Sequence, residues 1–248
     1  MNEFSLNGLS FCFIDQSDFR PELLHAEERG VLPPDASPSR LVQFGLGRAA
    51  ARIALMALKK SSVATGAASN KPPSDSPILM SEQGAPLWPS GIIGSISHTR
   101  SFSGGQRSGL FSAAAVVASN SRFLSLGIDI EDSERPVSTE ALRKMSSTHE
   151  FDWAQQQNAV DEATPSSREK SLFLLGAKEA LYKALFPLCE QYFGFLDAEL
   201  EISGPGLPFS IRLKRDLLPA ARQGSSFPIS FQRLGRFNAV WIALPRTA

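Results

Sequence analysis

Two long helical stretches, one in each half of the chain, constrain the fold more than any other feature. Over residues 39–60, Phe44, Ala51, Ala54, Leu55 and Leu58 recur near helical spacing. Ser39 is placed to cap this helix, and Lys59 and Lys60 suit the C-terminal end of its dipole. The second stretch opens with Ser166-Ser167-Arg168-Glu169 directly after Pro165, a capping-box spacing, and runs through Leu172, Phe173, Leu175, Ala180, Ala184 and Leu185 to Pro187. Strand-like runs surround both helices: residues 9–14, 110–119 and 123–131 in the first half, and 195–202, 209–214 and 227–244 in the second. Asn120-Ser121 predicts that 110–119 and 123–131 pair as a hairpin, and short helical pieces are expected at 139–145 and 150–157. Residues 22–38 read as loop, 61–77 as a mobile surface loop and 103–106 as a flexible tip. One long helix plus several strands in each half is an α+β pattern, with two similar lobes expected at 1–132 and 133–248.

A chain of 248 residues is long enough to bury a real core without staples. With 42% apolar and 20% charged residues, whole-chain disorder is excluded. Lys+Arg and Asp+Glu are 25 each, so the balance argues against holding nucleic acid by bulk charge and leaves room for local sites for small phosphates. The two cysteines, Cys12 and Cys189, form no CxxC and suit neither a disulfide framework nor a cysteine-rich zinc site. No basic residue precedes a long apolar run at the start, and no stretch reaches about 18 consecutive apolar residues. The expectation is a soluble, cytoplasmic protein with no membrane partner.

Chemistry concentrates in four places. In Gly127-Ile128-Asp129-Ile130-Glu131, strand periodicity puts Asp129 and Glu131 on one face and Leu126, Ile128 and Ile130 on the other. Two adjacent carboxylates repel, and near a core they call for a hard cation such as Mg²⁺ or Mn²⁺ between them. An edge strand with two solvated acids has the same spacing. In Ala177-Lys178-Glu179-Ala180-Leu181-Tyr182-Lys183, Glu179 and Lys183 are either a surface i,i+4 pair or, respectively, a third carboxylate and a phosphate-facing cation, with Lys178 adding charge. Arg40, Arg48 and Arg52 share one side of the first helix, Arg48 and Arg52 about 40° apart and Arg40 about 80° from Arg48. Guanidinium forks there suit phosphate, although a solvated basic face has the same pattern. His98 follows a turn in Gly94-Ser95-Ile96-Ser97-His98 and is either structural or a phosphate contact beside Ser97.

Taken in order, these blocks resemble the 4′-phosphopantetheinyl transferases, specifically the pseudo-dimeric type that activates siderophore and surfactin synthetases. The resemblance is carried by Arg40-x-x-x-Phe44-x-x-Gly47-Arg48-x-x-Ala51-Arg52, Gly84-Ala85-Pro86-Leu87-Trp88-Pro89, Gly94-Ser95-Ile96-Ser97-His98, Gly127-Ile128-Asp129-Ile130-Glu131 and Lys178-Glu179-Ala180-Leu181-Tyr182-Lys183, over residues 40–184. It implies two similar α+β lobes about a pseudo-twofold axis, with the site in the cleft between them. It implies transfer of the phosphopantetheine arm of coenzyme A to a serine of an apo acyl or peptidyl carrier protein, releasing adenosine 3′,5′-bisphosphate. Asp129, Glu131 and Glu179 would hold Mg²⁺. Arg48, Ser97 and His98, assisted by Arg40, would hold phosphates, and Lys178 and Lys183 would add positive potential. Glu179 or a metal-bound water would be the base, and one chain would suffice, so a monomer is expected.

The chain departs from the family's pattern in two segments. Residues 77–84 carry no lysine, so a phosphate contact would come from elsewhere, for example Arg52 or Arg100. Gly176 stands inside the second helix at a cost of roughly 1 kcal/mol against alanine, and close approach of the cofactor is its expected reason. The missing lysines motivate one alternative, a non-catalytic coenzyme A or carrier-protein binding module; an unrelated metal-dependent phosphohydrolase is the other.

Overall fold

Each long helix lies on one sheet, and the two sheets face each other. The computed structural model describes residues 1–20, 22, 24–64, 76–156, 165–204 and 206–246. In the first half are β1 (Asn2–Leu6), β2 (Leu9–Asp15), the short α1 (Ala26–Arg29), α2 (Pro38–Ala64), β3 (Leu79–Met80), β4 (Pro86–Leu87), β5 (Ile92–Ser103) and β6 (Gln106–Ser119). Then come β7 (Phe123–Asp132), α3 (Thr139–Met145), α4 (Thr148–Gln155) and α5 (Ser167–Cys189). The chain ends with β8 (Ala198–Leu200), β9 (Ser210–Leu213), β10 (Ser226–Pro228), β11 (Ser230–Leu234) and β12 (Phe237–Pro245).

The first sheet has the order β1-β2-β6-β5 and the second β11-β12-β7, while β10-β9-β8 and β3-β4 form smaller sheets. Period-2 alternation gives the first sheet two apolar faces. Cys12, Ile14, Phe111, Ala113 and Ala115 pack under α2 with Leu46, Ala50 and Ala54. Phe11, Phe13, Ala114 and Val116 meet Ile128, Ile130, Ala239 and Trp241 of the second sheet. The far face of the second sheet, through Val240 and Ile242, packs on α5 together with Leu142, Trp153 and Ile211. The layers are therefore helix, sheet, sheet, helix. By length and composition the stretch Pro38–Lys60 could cross a membrane, but 67% of its 18-residue apolar window is buried inside the fold, as in a core helix.

Several boundaries differ from the sequence expectations. The helix predicted at 39–60 begins at Pro38, and Ser37 rather than Ser39 caps it, its Oγ accepting from Arg40 N at 3.3 Å. Proline suits the first helical position because that N–H has no partner anyway. The helix continues through Ala64, so the loop expected at 61–77 starts later; its residues 65–75 lie outside the described ones. The capping box at Ser166 and Glu169 forms as predicted, and α5 passes Pro187 to end at Cys189, capped by Glu190 with φ +51°. The predicted hairpin does not form. β6 pairs with β2 and β5, whereas β7 pairs with β12, Asp129 opposite Val240. Alternation marks both segments as strands but carries no information about partners.

The edges of the two sheets meet where β5 runs beside β7. Side-chain hydroxyls stand where a backbone ladder would be: Ser95 Oγ accepts from Ile128 N at 3.1 Å and Ser97 Oγ from Ile130 N at 3.3 Å. At the end of this seam the fully buried Asp132 carboxylate accepts from Phe102 N at 3.0 Å and Glu134 N at 2.9 Å, and pairs with Arg236 at 2.8 Å.

Candidate active site

The alternation of β7 turns Ile128 and Ile130 toward the first sheet and leaves Gly127, Asp129 and Glu131 on the α5 side. A Cβ at Gly127 would lie 1.8 Å from the Ala180 carbonyl oxygen, so only glycine lets α5 rest this close to β7. A Cβ at Gly176 would meet Val240 Cγ2 at 3.1 Å and Asp129 Oδ2 at 3.6 Å. The expected reason for Gly176 is thus corrected: it admits the second sheet and Asp129 to the helix. This contact brings Asp129, Glu131 and Glu179 to the wall of one cavity of about 290 Å³, with Ser97, His98, Arg135 and Lys183 also lining it.

Asp129 and Glu131 are buried, at 6% and 5% exposure, which removes the reading of two solvated acids. Asp129 Oδ1 accepts from Ser97 Oγ and from Lys183 Nζ, each at 2.7 Å. Lys183 also donates to Ser97 Oγ and Ile128 O at 3.1 Å. The i,i+4 spacing of Glu179 and Lys183 therefore produces no pair; the ammonium reaches across to the strand. Glu131 accepts from Thr99 Oγ1 at 3.3 Å and pairs with Arg135. Burial, and next the charge of Asp129, push the Glu131 carboxyl up to about 7. Burial also raises Glu179, aided by Asp129 and opposed by Lys183.

Among the described residues no three acidic, histidine or cysteine side chains are drawn into a ready-made metal cluster. Lys183 and Arg135 hold oxygens of two of the acids instead. Yet Asp129 Oδ2 is buried with no hydrogen-bond partner. Three carboxylates face two cations here, and an unpartnered buried carboxylate oxygen is costly. The donor set is all oxygen, so the site fits a hard divalent cation.

Not every residue predicted for the site reaches it. His98 lines the cavity and is exposed. Crowding by the protein, then the charges of Lys183 and Arg40, push its imidazole down to about 4. An NMR titration should therefore find His98 neutral at pH 7 and protonated only near pH 4. Arg40 is exposed and close enough to be felt by both His98 and Arg48.

Arg48 and Arg52 are buried instead of forming a basic face. Arg48 donates to Ile78 O at 2.6 Å and Leu79 O at 3.1 Å, and it stacks on Phe44. Arg52 pairs at 2.5 Å with the fully buried Glu28, which also accepts from Ile78 N. These guanidinium groups fasten residues 76–79 to α2. Lys178 is corrected too: its side chain is 2% exposed, and its ammonium is taken up by Glu150 and two carbonyls.

Thr99 and Arg135, which hold Glu131, were not singled out from the sequence. Thr99 was legible, since it follows Ser97 by two on one strand; Arg135 lies past the strand end and gave no signal. A second pocket of about 270 Å³ adjoins the first at Glu179, its walls being Tyr182, Tyr192, Phe193 and Phe195. Its aromatic residues lie on two segments, and nothing in their spacing joins them.

Comparison with known proteins matches residues 27–104 to the 4′-phosphopantetheinyl transferase N-terminal domain family and residues 125–231 to the 4′-phosphopantetheinyl transferase superfamily. The chain is 31% identical to the 4′-phosphopantetheinyl transferase Svp of Streptomyces mobaraensis over 231 residues, 93% of this chain and 78% of that protein. It is 34% identical to Npt of Nocardia iowensis over 119 residues, 48% of this chain and 46% of Npt. With PptT of Mycobacterium tuberculosis H37Rv it shares 32% over 124 residues, 50% of this chain and 47% of PptT. Both blocks of acids fall inside the superfamily match, and the sheet-on-sheet fold brings them to one cavity. The chain belongs to the 4′-phosphopantetheinyl transferase superfamily, and it is a transferase of that kind.

Proposed function

We propose that the cavity of Asp129, Glu131 and Glu179 transfers the phosphopantetheine arm of coenzyme A to a serine hydroxyl of an apo acyl or peptidyl carrier protein. The observation that carries this reading is the meeting of three carboxylates with Ser97, His98 and Lys183 in one cavity, with Asp129 Oδ2 unpartnered. In the reaction the serine oxygen forms a bond to the phosphorus of the arm, the pyrophosphate P–O bond breaks, and adenosine 3′,5′-bisphosphate departs. Asp129, Glu131 and Glu179 would hold Mg²⁺, with Mn²⁺ an acceptable substitute. That ion, when bound, neutralises charge developing on the pyrophosphate.

The chain's own groups do the rest. Glu179, its basicity raised by burial, stands where it can take the serine proton. Lys183 and Arg135 are fixed cations on the cavity wall, and a fixed charge needs no reorganisation as the phosphate charge shifts. Neutral His98 offers a hydrogen bond, and with Arg40 it faces the nucleotide phosphates. The aromatic pocket beyond Glu179 receives the uncharged arm, since the one cation among its lining residues, Lys178, is already taken up by Glu150 and two carbonyls. The arrangement is read as two lobes about a pseudo-twofold axis, with β7 lent by the first segment of chain to the second sheet, and as a monomer.

The test is to incubate the protein with coenzyme A, Mg²⁺ and an apo carrier protein, and weigh the carrier. A mass gain of one phosphopantetheine arm is expected, and carriers of several types left unmodified by folded protein would refute the reading.

A further inference from the structure

Lys178 precedes Glu179 on α5, yet it lines the aromatic pocket and not the acid cavity. Its three donors are spent on Glu150 Oε2 at 2.8 Å, Met145 O at 2.9 Å and Phe195 O at 2.8 Å. Glu150 is fully buried and also accepts from Ser147 N at 2.8 Å and Leu200 N at 2.9 Å. The pair therefore ties α5 to the end of α3, the start of α4, the turn at Phe195–Asp197 and β8. No proton on the ammonium is left for a phosphate.

The aromatic pocket has two walls. One is α5, through Glu179 and Tyr182; the other is the segment from Tyr192 to Ala198. Apart from Lys178, this second wall is fastened by bonds around Asp197: Gly194 N to Asp197 Oδ2 at 2.8 Å and Lys214 N to Asp197 O at 2.8 Å. The first is internal to the wall, and the second ties its Asp197 end to Lys214. Tyr182 of α5 packs its ring on Tyr192 and Phe193 of that wall, and the Lys178 bond to the Phe195 carbonyl is the polar tie between the wall and the helix carrying Glu179.

We infer that Lys178 is a positioning residue for the transfer reaction, setting the width of the aromatic pocket relative to Glu179 by holding the Phe195 carbonyl against α5. The inference rests on the reading of that pocket as the place of the uncharged arm. A direct phosphate contact, which the sequence suggested, would act on the other end of the donor.

The two roles separate by ligand. The double variant Lys178→Met/Glu150→Leu removes both charges and keeps apolar volume, and circular dichroism and thermal unfolding establish that it folds. Calorimetry then compares coenzyme A with adenosine 3′,5′-bisphosphate, which has phosphates but no arm. The expected result is weakened binding of coenzyme A, unchanged binding of the bisphosphate, and a fall of roughly 10²-fold in kcat/KM, the size of effect that an ångström-scale misplacement produces. Should the double variant not fold, Lys178→Arg keeps the charge and loses the three-way geometry, and the same comparison applies. Equal weakening of both ligands would overturn the inference in favour of a phosphate contact. Unchanged kinetics in the folded variant would overturn it in favour of a purely structural strut. If the wild type loads no carrier, the proposed function fails instead, while the calorimetric comparison still decides the role of Lys178.

Discussion

Replacing Lys178 alone with methionine should destabilise the protein by about 3–5 kcal/mol, as expected when a buried ion pair loses one partner. The Glu150 carboxylate would remain fully buried with its cation gone. Met145 O and Phe195 O would lose their donor at the same time. Against a typical total stability of 5–15 kcal/mol this is a large fraction, so the single variant should express poorly and unfold at markedly lower denaturant. The double variant Lys178→Met/Glu150→Leu should recover most of the loss, because two charges are then spared desolvation. Urea unfolding of the three proteins measures both effects. Equal midpoints for wild type and Lys178→Met would mean that the buried pair contributes nothing.

The second large effect is on chemistry. Glu179→Gln keeps size and shape but cannot accept the serine proton, and general-base catalysis is worth roughly 10²–10⁴-fold. The variant should fold normally and lose about that factor in kcat, with a smaller change in affinity for coenzyme A. The prediction draws on the position of Glu179 between the acid cavity and the aromatic pocket. A single-turnover assay isolates the chemical step. A variant as fast as wild type would move the base to another group in the cavity.

Much of this site was legible in the chain because it depends on local periodicity. Period-2 alternation put Asp129 and Glu131 on one face, and β7 obeys it. The capping box at Ser166 and Glu169 fixed where α5 starts, and hence which residues its turns present. Other relations depend on which segments meet, and local patterns are silent on that. The partner of β7 turned out to be β12, some hundred residues later, not its neighbour β6. Arg48 and Arg52 looked free because their acceptors, Ile78 O, Leu79 O and Glu28, come from distant segments. Helix geometry already separates Lys178 from Lys183. Five residues apart on a helix, Lys178 and Lys183 diverge by about 140° and cannot both face one cavity. Lys183 is the one that reaches Asp129.

The proposed transfer requires Asp129, Glu131 and Glu179 to act as one site for a divalent ion. Electron paramagnetic resonance of Mn²⁺ titrated into the protein with coenzyme A present measures this directly, independent of turnover. One bound ion per chain is expected, with affinity lost in Asp129→Asn and reduced in Glu131→Gln and in Glu179→Gln. Wild-type affinity in all three variants, each shown to be folded, would contradict it.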